Sequence, residues 1–200
     1  MSDPADTNPN AGVESRVTAP RGAGVLGMAL FLLTLTVLFA ASIAGYLVVR
    51  SRAEAWPPAD MPELPAGLWV STLVILASSG TMHGALLSVR RNAYGALIGC
   101  MLITTLLGVA FLVSQAANWL WLIGIHATAR TGLYMFMFYA LTGLHGLHVI
   151  GGLALLGTVT ARAFLGRYTA EHHPGVTYAT MYWHFLDVVW LVMFVLLFLL

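Results

Sequence analysis

Five long apolar runs, separated by short polar breaks, set the pattern of this 200-residue chain. They cover about 24–49, 67–89, 94–119, 132–161 and 177–200. A helix needs roughly 20 apolar residues to cross a bilayer core, so each run predicts one transmembrane helix. The breaks suit this reading. SRAEAWPPADMPELP is rich in proline and carries three acids, VRRN is short enough for a tight turn, 118–130 reads as a loop flanked by tryptophan, and RAFLGRYTAEHHPG precedes the last run. No stretch of 20–50 residues repeats, which predicts a bundle and not a solenoid. The fold expected is an all-α integral membrane bundle over 24–200, preceded by a polar, Pro- and Gly-rich disordered leader over 1–23.

Composition agrees with the pattern: 59% of residues are hydrophobic and 8% charged, against about 25% charged in soluble domains. Basic and acidic residues nearly balance, nine to eight, which leaves no electrostatic footprint for nucleic acid. The basic residues are all arginine, and their placement predicts orientation. With the N-terminus inside, Arg16, Arg21, Arg90, Arg91, Arg162 and Arg167 fall inside, and Arg50, Arg52 and Arg130 outside. The C-terminus is then outside. Trp56, Trp119 and Trp121 would form an outer interfacial belt. The single cysteine, Cys100, allows no intrachain disulfide, no CxxCH haem attachment and no cysteine-bridged copper pair. It reads as a small buried apolar side chain.

Chemistry could reside only in the few polar residues inside the runs. His145 and His148 lie three apart in the fourth run, His184 and Asp187 three apart in the fifth, and His83 lies in the second. Residues three apart share a helix face. His148 and Asp187 are each 14 residues from a polar boundary, at Arg162 and His173, or about 21 Å of helix. The two pairs could therefore lie at one depth and meet. Histidine is the commonest ligand for haem, copper and zinc, so one reading is a metal-bearing membrane oxidoreductase that uses His145, His148, His184 and Asp187. The other is a set of hydrogen-bonded polar ties between helices. Small residues favour the second: Gly143, Gly146, Gly151, Gly152 and Gly157 in the fourth run, and Ser78, Ser79, Gly80 and Gly84 in the second. The first and third runs contain no charged residue, which argues against a proton pathway in this chain alone.

Three blocks carry a resemblance: TGLHGLHVIGG from Thr142, AEHHPG from Ala170 and YWHFLDVVWL from Tyr182. In order and spacing they resemble subunit III of the haem–copper oxidases. GMALFLL from Gly27, WPP from Trp56, LASSGTMHGAL from Leu76 and LLGVAFLVSQAANW from Leu106 extend it more loosely over nearly everything beyond the leader. The resemblance implies a short, five-helix subunit III of a respiratory terminal oxidase in a bacterial cytoplasmic (inner) membrane. Such a subunit holds no cofactor. Haem and copper belong to the partner subunits I and II, while subunit III packs on subunit I, binds phospholipid, and supports sustained oxygen reduction and proton uptake. By matching motifs, Arg162, His172 and, more weakly, His83 correspond to lipid contacts, and His145, His148, His184 and Asp187 to buried packing groups, with Asp187 paired to a His or Arg of the bundle. The twin His172–His173 resembles the cytochrome c oxidases more than the quinol oxidases. The family's glutamate in the first of these helices is replaced at Leu35, and a second at Asn118. These replacements depart from the family's pattern at any role that depends on those carboxylates, and an accessory subunit of a quinol oxidase or a nitric oxide reductase is the alternative.

Overall fold

A computed structural model describes residues 22–58 and 64–199. The leader up to residue 21, with Arg16 and Arg21, and the loop acids Asp60 and Glu63 lie outside the described residues. Five α-helices follow in order: α1 (Ala23–Ser51), α2 (Gly67–Arg90), α3 (Tyr94–Gly124), α4 (Leu133–Phe164) and α5 (Pro174–Phe194), the last continued by a π-helical turn, Val195–Leu199. All five are long and apolar enough to cross a membrane, and the described residues contain no strand.

Two boundaries differ from those read off the sequence. The loop expected from residue 118 is helical as far as Gly124, because NWLWLIG contains no breaker before its glycine and its apolar side chains continue the lipid-facing surface. The chain leaves the helix at Gly124, and His126 takes a left-handed φ of 63°. Helix α5 starts at Pro174, three residues before the apolar run. Proline is well placed in a first turn, where its missing N–H has no helical partner to lose. The tight turn after α2 is confirmed: Asn92 adopts φ 54°, and its Oδ1 accepts the Ala170 N–H at 2.9 Å, tying this turn to the α4–α5 loop.

Helices adjacent in sequence pack on one another from α2 to α5, whereas α1 packs on α5 and α4. Helix α2 packs most extensively on α3, and α5 packs on α2, α4 and α1. Helix α1 is peripheral, burying only Leu35, Phe39 and Tyr46. Without a hydrophobic drive between helices in lipid, packing of small residues and interhelical hydrogen bonds must hold the bundle. Both are present. Ser71 and Thr81 of α2 meet Ser114 and Thr104 of α3 at 2.8 Å each. On the other side of α2, Trp183 Nε1 donates to Ser78 Oγ and Trp190 Nε1 to Thr72 Oγ1, both at 3.0 Å. Trp183 is also wedged against two glycines. A Cβ at Gly108 of α3 would lie 2.7 Å from its ring, and one at Gly152 of α4 would lie 3.1 Å from it. Four helices thus converge on one indole.

Candidate functional site

The polar residues inside the bundle separate into two groups. His145 of α4 is completely buried, enclosed by the rings of Phe39, Phe111 and Trp190 at centroid distances of 6.3, 5.8 and 5.3 Å. Neither of its ring nitrogens has a hydrogen-bond partner among the described residues. His148 stacks obliquely on Phe39 at 5.1 Å, and its Nδ1 lies 2.8 Å from the Leu144 carbonyl of its own helix. The His148 carbonyl accepts the Tyr182 hydroxyl at 3.0 Å, which joins α4 to α5.

His184 and Asp187 face α2 instead. His184 Nδ1 lies 2.8 Å from Ser79 Oγ and 3.6 Å from Asp187 Oδ2. Asp187 is 4% exposed. At 3.6 Å the imidazole is an ion-pair neighbour when protonated but not a hydrogen-bond donor, and neither Asp187 oxygen has a donor at bonding distance among the described residues. The expected neighbour of Asp187 is therefore a histidine, supplied by its own helix one turn back. The His83 ring lies 6.3 Å from that of His184. His83 is exposed and His184 half-exposed, so α2 and α5 present His83 and His184 on an outer face, with Asp187 behind them.

The structure thus keeps His145 and His148 on the α1–α3–α5 side and His184 and Asp187 on the α2 side. Among the described residues no group of three or more His, Cys, Asp or Glu is placed to hold a metal ion. Cys100 is half-buried, not buried as the sequence suggested, and its Sγ packs where a Cβ on Gly84 would come within 3.3 Å.

At the far end of α4, Arg162 is exposed in the last turn. The Tyr168 hydroxyl beyond it is pushed above its ordinary pKa by burial, a shift the Arg162 cation opposes. His172 is exposed and lines a shallow cleft of about 350 Å³ with Gly22, Glu171, His173, Pro174 and Thr177. Arg162 and His172 share this end of the bundle. His83 lies seven residues inside the end of α2, or about 10 Å deeper.

Leu35 and Asn118, the two positions where the resemblance implies a glutamate, are both buried. Leu35 is one of the three buried residues of α1. Asn118 is buried, and its Nδ2 reaches Ser71 Oγ at 3.4 Å. Its amide oxygen closes so tightly on Gly67 that a Cβ there would collide with it.

Sequence reasoning missed the anchoring tryptophans and their partners. Trp183 and Trp190 are seven apart, hence on one face of α5, which was a readable signal for a helix-long contact. Gln115 of α3 was also missed, and Trp119 was read only as part of an interfacial belt. The buried Gln115 amide nitrogen and oxygen and the Trp119 indole nitrogen all lack partners among the described residues.

Five helices long and apolar enough to cross a membrane, with His145 and Asp187 buried among them, define an α-helical integral membrane bundle. The comparisons specify the family. A family profile for cytochrome c oxidase subunit III matches residues 12–200. The cytochrome c oxidase subunit 3 of Synechocystis sp. is 38% identical over 88% of this chain and 75% of its own length. That of Thermostichus vulcanus is 35% identical over 88% and 87%. The cytochrome bo(3) ubiquinol oxidase subunit 3 of Pseudomonas aeruginosa is 34% identical over 89% and 85%. The chain belongs to the cytochrome c oxidase subunit III family of the haem–copper oxidases, and it is an integral membrane protein.

Proposed function

We propose that this chain is the accessory, non-catalytic subunit III of a respiratory terminal oxidase that reduces oxygen. It packs on subunit I, and haem and copper reside in subunits I and II. The inside N-terminus implied by the arginines and a bacterial inner membrane belong to the same proposal. The observation that carries the packing role is the outer face of α2 and α5. His83 is exposed and His184 half-exposed well inside membrane-spanning helices. Imidazoles facing hydrocarbon are costly, so this face is best explained by a covering partner subunit.

Phospholipid binding is proposed for Arg162 and His172. Both are exposed at one end of the bundle, where a guanidinium and an imidazole can make charge-assisted hydrogen bonds to a headgroup phosphate. His83, about 10 Å further in, is assigned to the partner surface and not to that headgroup. His145, His148, His184 and Asp187 serve as packing groups. A quinol oxidase is the second reading of the holoenzyme, favoured by the ubiquinol oxidase relative, whose match covers as much of the chain.

The test is an oxidase purified with and without this subunit. The account expects equal haem and copper content and an equal initial rate. Activity of the enzyme lacking the subunit then decays during continuous turnover. Loss of a metal or haem together with the subunit would overturn the accessory reading.

A further inference from the structure

Two imidazoles on the outer face of α2 and α5 keep unused hydrogen-bonding capacity within reach of a neighbour. The His184 side chain is 36% exposed, against 5% for Asp187 behind it, and His83 is exposed. His184 Nδ1 turns inward, 2.8 Å from Ser79 Oγ and 3.6 Å from Asp187 Oδ2. Two oxygens beside one ring nitrogen favour the tautomer with its hydrogen on Nδ1, because the bond made at one nitrogen decides the state of the other. Nε2 is then a bare acceptor, and unlike the orphaned Asp187 oxygens it is reachable from outside the bundle. Among the described residues no hydrogen bond engages the His83 ring, whose contact is with the His184 ring.

Depth excludes water and headgroups as the ordinary neighbours of this pair. The Asn92–Ala170 hydrogen bond sets the end of α2 beside the start of α5. His83 lies seven residues before Arg90, or about 10 Å of helix, and His184 ten residues after Pro174, or about 15 Å. The 24 residues of α2 span about 36 Å, against a hydrocarbon core of about 30 Å, so both rings sit inside the core. Acyl chains offer neither donor nor acceptor there, and the backbone of a neighbouring helix already satisfies its own groups. A side chain must supply the match. The spacing of the rings says which kind. Their centroids are 6.3 Å apart. A direct hydrogen bond between two imidazoles would bring the centroids to about 5 Å, whereas two bonds of about 2.8 Å meeting at one oxygen hold them about 6–7 Å apart. A hydroxyl is donor and acceptor at a single atom. A carboxamide, with its donor and acceptor on separate atoms, needs a wider gap.

We infer that His83 and His184 together form a socket for one hydroxyl side chain, Ser, Thr or Tyr, on a transmembrane helix of the partner subunit. The hydroxyl donates to His184 Nε2 and accepts an N–H from His83. The inference rests on the reading that a partner subunit covers the α2–α5 face, and it adds the chemistry that fixes the partner's register on that face.

The test uses the intact oxidase complex in mild detergent, with loss of this chain timed against haem. His83→Leu removes one side of the socket and no hydrogen bond of the bundle itself. His184→Asn keeps an amide where Nδ1 faces Ser79 and drops Nε2. Each variant is expected to leave the complex about threefold to tenfold faster than the unaltered chain. The double variant should leave no faster than the faster single, because one hydroxyl serves both rings. A photoreactive residue at Leu87, 38% exposed and one turn from His83 on the same helix face, is expected to label a protein subunit. Labelling of lipid alone would overturn the covering reading and the socket with it. Labelling of a subunit while both single variants leave at the unaltered rate, or while the double variant shows the product of the two accelerations, would overturn the socket and leave the covering reading standing.

Discussion

Trp183 is the most demanding packing element of the bundle, and its environment predicts a measurable coupling. A methyl group added at Gly108 would lie 2.7 and 2.9 Å from the far edge of the indole and 2.9 Å from Leu153 Cδ2. The leucine tip can rotate away, but the indole is held by its hydrogen bond to Ser78 at 3.0 Å and by the Gly152 wall. Gly108→Ala therefore overpacks, at a cost of about 1–3 kcal/mol. The usual gain in helix propensity offsets little of this, because the dissociated helix in a bilayer is already hydrogen-bonded as a helix. Trp183→Phe loses the bond to Ser78, about 0.6 kcal/mol on average in a membrane interior, and leaves a void worth about 1–2 kcal/mol. In the double variant the methyl enters the space vacated by the indole edge. The two changes should then couple by about 1–2 kcal/mol, the pair being more stable than the sum of the singles. Unfolding of the detergent-solubilised protein can be followed through labelling of Cys100, its single thiol, which packs against Gly84 and becomes accessible as α2 and α3 part. Additivity within about 0.5 kcal/mol would refute the wedge.

Other perturbations separate hydrogen bonding from charge. Asp187→Asn should change bundle stability by less than about 1 kcal/mol, since no hydrogen bond to the carboxylate is lost; a cost near 3 kcal/mol or more would show a buried ion pair with His184 instead. The Tyr46 hydroxyl donates to the Leu196 carbonyl and accepts the Trp56 indole N–H, both at 3.0 Å. Tyr46→Phe should loosen the α1–α2 connection, with faster proteolysis between Arg52 and Leu64 and a stability loss of about 1–2 kcal/mol; unchanged cleavage would dismiss the tie. Asn92→Gly should keep the left-handed turn but free the Ala170 amide, and Asn92→Ala should also cost about 1–2 kcal/mol of backbone strain. Hydrogen exchange at Ala170 is expected to quicken in both, and protection in either would contradict the contact.

How far the sequence carried the fold depends on which physical signal each element used. The five spans were legible because hydrophobic length alone defines a crossing. The ends of α3 and α5 were not, because interfacial tryptophans and a helix-starting proline read as loop when only apolarity is counted. The sharing of a face by His145 and His148 was legible from their spacing. What surrounds each imidazole was not, since that depends on Phe39, Phe111 and Trp190 arriving from three other helices. The pairing of Ser78 with Trp183 and of Thr72 with Trp190 needed the register between α2 and α5. Hydroxyls two turns apart on one helix and indoles seven apart on another hint at that register without fixing it. The same holds for Gln115, whose unpaired amide is visible only once α4 places glycines opposite it.

The central claim is that this chain supports a haem–copper centre without containing one. The most direct measurement is affinity purification of the tagged, full-length chain in mild detergent, with subunits identified by mass spectrometry and with haem and metal quantified against protein. The account predicts recovery with subunits I and II, in equal amounts, with all haem and copper accounted for by their share. Recovery of the chain alone with its own stoichiometric haem or metal would contradict the account.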